Sequence, residues 1–339
     1  MRGAERGARR CLGLALLCAL GGCASSADLR AALRERGGPL VEPVPFVPQE
    51  GTIDCGASAA AALLGHAGQR VDAEELRRRL VRADRGTYTF ELSLLLWRRG
   101  LYPWARWDQP QQEVERWLRA GRPVALLVAV WPWKMRWRHF VVVCGIDSLT
   151  GTALVHTGSE PYACVPLEDL LEAWRRAGRW ALVAVPPDGP SPPQLSASEL
   201  ARLGLLAERA GLRTRAVQHY TAALAADPTL TRARANRGAV RVELGDLELA
   251  VLDLRAAATQ APDDPSILND LAWALERRAG QLERPAAAAL LLEAHGLARR
   301  ALSLAGPELR GTCAETLTGV ERAWRARLAP LALPSPGES

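Results

Sequence analysis

The spacing of hydrophobic residues changes several times along the first half of the chain, and each spacing predicts a type of element. An almost unbroken Ala/Leu run from about Cys55 to Leu64, stopped by Gly65, predicts a buried helix. Further helices are expected near 73–81, 90–99, 111–120 and 167–177. The apolar runs PVALLVAV, HFVVVCGID, TALVHT and WALVAV predict strands. Helices followed by a sheet indicate an α+β domain, which we place at residues 41–187.

The second half of the chain has a helical pattern throughout, and the pattern repeats. It follows a Pro-rich linker at residues 188–196. Pro228 and Pro262 stand 34 residues apart (262 − 228), and each closes a unit with small residues at matching positions. This period is typical of the tetratricopeptide repeat, so residues 197–328 are predicted to form an all-α solenoid. A plain helical bundle is the alternative.

The repeats become less regular toward the end of the chain. A looser third unit starts at Ser266, contains a long turn in AGQLERPAAAA, and ends at Pro307. A helix from about Thr312 to Leu328 is expected to cap the array, because end repeats need a polar outer face. Residues 329–339 are predicted to be a disordered tail.

The N-terminus has the pattern of an export signal rather than of a folded element. Four arginines precede an apolar stretch, Leu12 to Leu20, which is too short to span a bilayer. It ends in LGGC, which resembles a bacterial lipobox and implies a signal peptide at 1–22, lipidation of Cys23, and a tether at 23–40. Ala24 after that cysteine resembles the sorting pattern for an outer-membrane lipoprotein facing the periplasm. An ordinary signal peptide cleaved near Ala24 is the alternative.

Composition excludes several classes of function. The net charge is +6, and no basic stripe with interleaved aromatic residues indicates a nucleic-acid partner. No two histidines have a metal-binding spacing, so no metal is expected. Four cysteines would remain after processing, too few for a disulfide scaffold. The sequence leaves open whether Cys144 and Cys164 form a disulfide.

The setting of Cys55 indicates a nucleophile. It follows Asp54, which is expected to cap the helix, and precedes Gly56, which is expected to leave room for a substrate. A helix N-terminus lowers the pKa of a thiol and presents backbone amides to an oxyanion. His139 opens a strongly apolar strand and is a candidate general base, and Gln49 is a candidate second oxyanion donor. The alternative is a buried structural cysteine.

These residues carry a family resemblance. The blocks VPFVPQ, DCGASAAAALL and RHFVVVCGID resemble the bacteriocin-processing, double-glycine cysteine peptidase family over residues 41–187. The resemblance implies a papain-like fold that needs no cofactor, with Cys55 as nucleophile, His139 as base and Gln49 as oxyanion donor. The family usually orients its histidine with an aspartate, but the matching place here reads His156-Thr157-Gly158. His156, Thr157, a backbone carbonyl or the more distant Asp147 are the candidates for that third role.

The resulting expectation is a lipid-anchored cysteine endopeptidase that cleaves an exported protein or peptide through a thioester. The tetratricopeptide repeats would dock the substrate or a partner protein. Two alternatives remain open. One is a non-catalytic, peptide-binding adaptor lipoprotein, and the other is an acyl-transfer enzyme or amidase with the same fold.

Overall fold

The computed structural model describes residues 25–51, 53–81, 86–130 and 137–328. The predictions for the signal peptide, for lipidation of Cys23 and for the tail at 329–339 fall outside these residues. The chain divides into two compact units between Pro186 and Pro187, and each is described by itself.

The first unit combines helices with one antiparallel sheet. Its helices are α1 (Ser26–Glu35), α2 (Cys55–His66), α3 (Ala73–Leu80), α4 (Thr89–Arg98), α5 (Gln111–Arg119) and α6 (Leu167–Arg176). Its strands are β1 (Tyr102–Arg106), β2 (Val124–Val130), β3 (Trp137–Asp147), β4 (Thr152–His156), β5 (Ala163–Pro166) and β6 (Ala181–Val185). The strands are arranged in the order β1-β6-β2-β3-β4-β5. The predicted α+β class of this domain is confirmed.

The two outermost strands, β1 and β5, were not predicted. Both are short, and both contain a proline, Pro103 in β1 and Pro166 in β5. Proline lacks a backbone N–H group and is therefore tolerated on edge strands but weakens a strand signal in the sequence. The central strands are recognisable because they are apolar and almost fully buried, as β6 is at every position.

Part of the segment predicted to be a tether is an element of the first unit. A capping box between Ser25 and Asp28 starts α1. Leu29 and Leu33 of this helix are buried against Leu154 of β4. These two leucines, four residues apart, give the helix one apolar face. The face was not recognised in the sequence because alanine and arginine dominate the segment.

After the linker, the described part of the second unit, residues 197–328, consists of helices joined by short connections, as predicted. Its helices are α7 (Ala197–Arg209), α8 (Arg213–Ala226), α9 (Thr231–Leu244), α10 (Leu247–Gln260), α11 (Pro265–Ala279), α12 (Arg284–Leu304) and α13 (Pro307–Leu328). A Cβ atom at Gly204 would lie 2.7 Å from the ring of Tyr220, and one at Gly238 would lie 2.6 Å from Leu254. These glycines therefore allow the two helices of a pair to approach closely.

The third helical pair differs from the prediction. The expected long turn is only residues 280–283, because α12 begins at Arg284 with a proline in its first turn and runs for 21 residues. Proline is favoured in the first turn of a helix, because a backbone N–H group at that position would have no hydrogen-bond partner within the helix. The last helix begins at Pro307, earlier than the predicted Thr312, for the same reason.

The linker is held to the helical unit by a histidine. His219 of α8 is buried, and its Nε2 donates to the carbonyl of Pro187 at 2.9 Å. Its Nδ1 accepts from the Ser191 hydroxyl at 2.8 Å. His219 thus has a structural role.

Candidate active site

Cys55 is the first residue of α2 and is buried. The helix is apolar on nearly every side, which matches its position inside the unit. Because the first backbone N–H groups of a helix have no intrahelical partner, they surround Cys55 with donors and a positive partial charge.

Asp54 precedes the helix but does not cap it, which corrects the sequence-based expectation. Its buried carboxylate instead accepts from the backbone N–H groups of Glu50 at 2.9 Å and of Gly51 at 3.3 Å. Arg77 of α3 pairs with the same carboxylate at 3.4 Å. These bonds tie Glu50 and Gly51, the two residues that follow Gln49, to the residue that precedes Cys55.

Gly56 also has a different role from the expected one. A Cβ atom there would lie 2.4 Å from the Thr87 side chain, whose hydroxyl donates to the carbonyl of Leu80 at 2.9 Å. The absence of a side chain at Gly56 therefore makes room for the Thr87 side chain and not for a substrate.

Cys55 and His139 form a hydrogen-bonded pair. Burial raises the pKa of the Cys55 thiol, but the hydrogen bond and the charge of His139 outweigh it, and the pKa lies below its ordinary value. The backbone N–H groups of Phe140 and Gly56 lower it further. Burial lowers the pKa of His139, but the hydrogen bond and charge of Cys55 outweigh that effect, and this pKa is raised. The arrangement favours a thiolate beside an imidazolium.

The third role is taken by a backbone carbonyl. Nε2 of His139 donates to the carbonyl oxygen of Thr157 at 2.9 Å, which leaves Nδ1 as the nitrogen available to Cys55. The Thr157 hydroxyl is instead within reach of Ser159 and Glu160. The charge of Asp54 also contributes to the raised pKa of His139. The imidazole is therefore oriented by a dipole and supported by the charge of a nearby carboxylate.

Two other candidates for the third role do not orient His139. Asp147 lies at the far end of β3, eight residues from His139, which corresponds to about 26 Å along a strand. Its buried carboxylate binds Arg36 at 2.7 Å and Thr150 at 2.9 Å, in the turn after the strand. His156 is buried near the site, but neither ring nitrogen has a hydrogen-bond partner among the described protein atoms.

Gln49 is positioned by Gly158. Its backbone N–H group donates to the Gly158 carbonyl at 2.7 Å. Its side-chain amide packs against the α-carbon of Gly158. A Cβ atom added to Gly158 would lie 2.3 Å from Oε1 and 2.5 Å from Cδ of Gln49. Nε2 of Gln49 is buried and has no partner among the described protein atoms. Gly158 lines the same cavity as Cys55, so this buried donor is a candidate to stabilise an oxyanion formed at the sulfur.

Sequence reasoning missed three contributors to the site. It assigned Asp54 to a helix cap, although the residue was visible beside Cys55. It left an unspecified backbone carbonyl as one of several alternatives for the third role, because a backbone group has no signature in the sequence. It did not single out Gly158, whose φ of +97° and contact with Gln49 both require a glycine.

A small cavity adjoins the nucleophile. Its lining includes Phe46, Cys55, Ser58, Val142, His156 and Gly158. About 10 Å³ is open to the centre of a water molecule, which is close to the minimum that holds one water.

The other three cysteines in the described part of the chain form no disulfide. Cys144, Cys164 and Cys313 are free thiols. Strand β4 lies between the strands that carry Cys144 and Cys164, which separates them by about 9–10 Å, too far for a disulfide. Burial raises the pKa of Cys144, in contrast to that of Cys55.

The described ranges contain neither a candidate metal site nor a candidate membrane-spanning helix. In them, no group of three His, Cys, Asp or Glu side chains is arranged to hold a metal ion. No helix in these ranges has the length and apolarity needed to cross a membrane.

Comparison with known proteins finds a family match within the first domain. Residues 43–176 match the model of the Peptidase C39 family, which confirms the predicted resemblance. No curated protein matches the chain.

Solved structures match each half of the chain. A C39-like peptidase from Bacillus anthracis is 20% identical, with a TM-score of 0.37, covering 43% of this chain and 96% of its own. The peptidase domain of Streptococcus ComA is 18% identical, with a TM-score of 0.36, covering 42% and 99%. The Sgt2 TPR domain from Aspergillus fumigatus is 19% identical, with a TM-score of 0.34, covering 45% and 93%.

Proposed function

We propose that this protein is a cysteine endopeptidase that acts on an exported protein or peptide. The observation that carries the proposal is the pair formed by Cys55 and His139 at the start of a buried helix, with the unpartnered Nε2 of Gln49 nearby. A lowered thiol pKa beside a raised imidazole pKa is the electrostatic state that a cysteine nucleophile requires.

The reaction follows from these positions. The Cys55 thiolate attacks the peptide carbonyl carbon, and the carbonyl oxygen becomes an oxyanion held by Nε2 of Gln49 and the backbone N–H of Cys55. His139 gives its Nδ1 proton to the leaving amine as the C–N bond breaks, which leaves a thioester and a neutral imidazole. Water then attacks the thioester while His139 takes its proton. The acid product leaves, and the thiolate–imidazolium pair is restored.

The Thr157 carbonyl is a sufficient orienter in this scheme. It selects the tautomer in which Nε2 carries a proton and Nδ1 faces the sulfur. A carbonyl stabilises the imidazolium less than a carboxylate would, and the charge of Asp54 compensates in part.

The proposal extends to the ends of the chain. The segment ending in Cys23 has the features of a lipoprotein signal, and lipidation there would place the protein in the cell envelope, at the outer membrane facing the periplasm. Since α1 begins at Ser26, few residues would separate the lipid from the folded domain. The helical repeats would dock the substrate or a partner protein.

The test uses the purified full chain in detergent, with peptides that carry two glycines before the scissile bond. Mass spectrometry should find two fragments with the wild type and with Cys164→Ser, and none with Cys55→Ser. Binding without cleavage would favour the adaptor and refute the peptidase. Transfer of the acyl group to added hydroxylamine, with no release of free acid in water, would favour an acyl-transfer enzyme instead.

A further inference from the structure

His156 is a buried histidine that the mechanism above does not use. Its exposed fraction is 4%, and both ring nitrogens lack a hydrogen-bond partner among the described protein atoms. Burying polar groups in this way is costly unless something satisfies them. Burial also lowers its pKa to about 4, so the ring is neutral at physiological pH, with one donor nitrogen and one acceptor.

Aromatic packing holds the ring in place. Its centroid lies 5.3 Å from that of Phe46 and 4.8 Å from that of Tyr162, edge to face in both cases. A phenylalanine would make the same contacts without burying two nitrogens. Packing therefore accounts for an aromatic ring at position 156 but not for a histidine.

The polar groups around the cavity explain why position 156 carries an acceptor nitrogen. Cys55, Ser58 and His156 all line it, and Cys55 and Ser58 lie on one face of α2, three residues apart. Its open volume corresponds to one water molecule, and a buried water in a protein typically makes about three hydrogen bonds. The lining offers three partners: a hydroxyl, a neutral imidazole nitrogen and the nucleophile's sulfur.

We propose that His156 is a positioning residue that binds one water molecule in this cavity, and that the water donates a hydrogen bond to the Cys55 thiolate. The water donates its second hydrogen to the acceptor nitrogen of His156 and accepts from the Ser58 hydroxyl. The inference rests on the proposed function, because it concerns the same nucleophile. It adds a third support for the thiolate, beside His139 and the backbone N–H groups.

Other titratable groups near His156 do not supply this interaction. Tyr162 accepts through its hydroxyl from the backbone N–H of Val44 at 2.7 Å, and Arg30 lies over its ring. Cys144 is a buried thiol with a raised pKa, and its sulfur lies 3.6 Å from the Val142 carbonyl. A change in the titration of Cys55 on substitution of His156 would thus report on the cavity.

The experiment measures the alkylation rate of Cys55 by iodoacetamide as a function of pH, with mass spectrometry to assign the site. It compares the full-length wild type with His156→Phe, which keeps the ring packing, and with Ser58→Ala, which removes the hydroxyl that Ser58 contributes to the cavity lining. Tyr162→Phe is the matched control. We expect the midpoint to rise by about one pH unit in His156→Phe, equivalent to about tenfold less thiolate below the midpoint. Ser58→Ala should shift it in the same direction by less, and Tyr162→Phe should not shift it.

A further variant, His156→Asn, restores a polar group at the cavity and should move the midpoint back toward that of the wild type. A folded His156→Phe with the wild-type midpoint would overturn the proposal. If that variant does not fold, a wild-type midpoint in Ser58→Ala overturns it. His139→Ala distinguishes failure of the water site from failure of the proposed function. If this variant leaves the alkylation rate of Cys55 unchanged, the proposed function itself fails. If it slows alkylation while the cavity variants have no effect, only the water site fails.

Discussion

Substitution of Gly158 by alanine tests the assignment of Gln49 without touching Gln49 itself. The new Cβ atom would lie 2.3 Å from Oε1 and 2.5 Å from Cδ of the Gln49 amide, far inside contact distance. The clash is with the end of a flexible side chain, so the amide can move away at little cost to the fold. Its Nε2 donor would then leave the place where the oxyanion forms.

The expected loss of activity follows from the value of one oxyanion donor. Removing such a donor lowers kcat by about 10²–10³, or about 2.7–4 kcal/mol of transition-state stabilisation. We therefore expect Gly158→Ala to lower kcat by about two to three orders of magnitude, with a small effect on KM. The positive φ of Gly158 adds a backbone cost of about 1–2 kcal/mol to folding.

A matched control separates these two effects. Gly100 has a positive φ of +75°, but a Cβ atom there would meet nothing within 4 Å. Gly100→Ala should lose about the same free energy of unfolding, measured in urea, and keep its kcat. The double variant Gln49→Ala/Gly158→Ala should be no slower than Gln49→Ala alone, because both changes remove the same donor.

Either of two results would refute this reasoning. One is a Gly158→Ala variant whose kcat falls no further than that of Gly100→Ala. The other is additivity in the double variant, which would mean that Gly158 acts by a route independent of Gln49.

Three further changes test other parts of the site. His139→Ala should slow alkylation of Cys55 and cleavage by about 10²–10⁴. In the wild type, kcat/KM should rise as pH passes the lowered pKa of the thiol and fall as it passes the raised pKa of the imidazole. Gly56→Ala should destabilise the protein by about 1–3 kcal/mol in urea, since the new methyl group overlaps Thr87. Asp54→Ala should cost about 1–3 kcal/mol, because two backbone N–H groups lose their acceptor.

Each of these has a specific control. A kcat/KM profile that keeps its shape in His139→Ala would contradict the thiolate–imidazolium pair. Thr87→Gly, which removes the Cβ, Oγ1 and Cγ2 atoms that overlap the new methyl group, should recover part of the stability lost in Gly56→Ala. Asp54→Asn retains one acceptor oxygen and should lose less stability than Asp54→Ala. Equal losses in the two Asp54 variants would show that the carboxylate acts through its charge alone.

The elements that were predictable share a physical property. Helix α2 and the central strands are buried on nearly all sides, so their sequences are continuous apolar runs that hardly any other structure would explain. The helical repeats were predictable because each unit repeats the same packing requirement, visible in the glycines at Gly204 and Gly238. The edge strand β1 and the helix α1 were not, because each depends on a partner from a distant part of the chain. Strand β5 was not, because it has only four residues and ends in a proline.

The same distinction separates the residues of the site. Cys55, His139 and Gln49 were found because their residue types and positions carry chemistry that a sequence can display. The carbonyl of Thr157 was left among several alternatives and Gly158 was not singled out, because one acts through a backbone group and the other through the absence of a side chain. The roles of Asp54 and Gly56 were misassigned for a related reason, since each depends on neighbours that only folding supplies.

The sequence alone therefore determined the fold class of both halves, the family resemblance of the first half and the candidate nucleophile, base and oxyanion donor. These properties follow from local patterns, namely apolar periodicity, repeat length and residue type. Only the tertiary structure decided how the site is assembled. It showed which group orients His139, which glycine holds Gln49, and that His156 and Cys55 line one cavity. Such relations depend on distances between segments that are far apart in the chain, and a one-dimensional pattern contains no such distances.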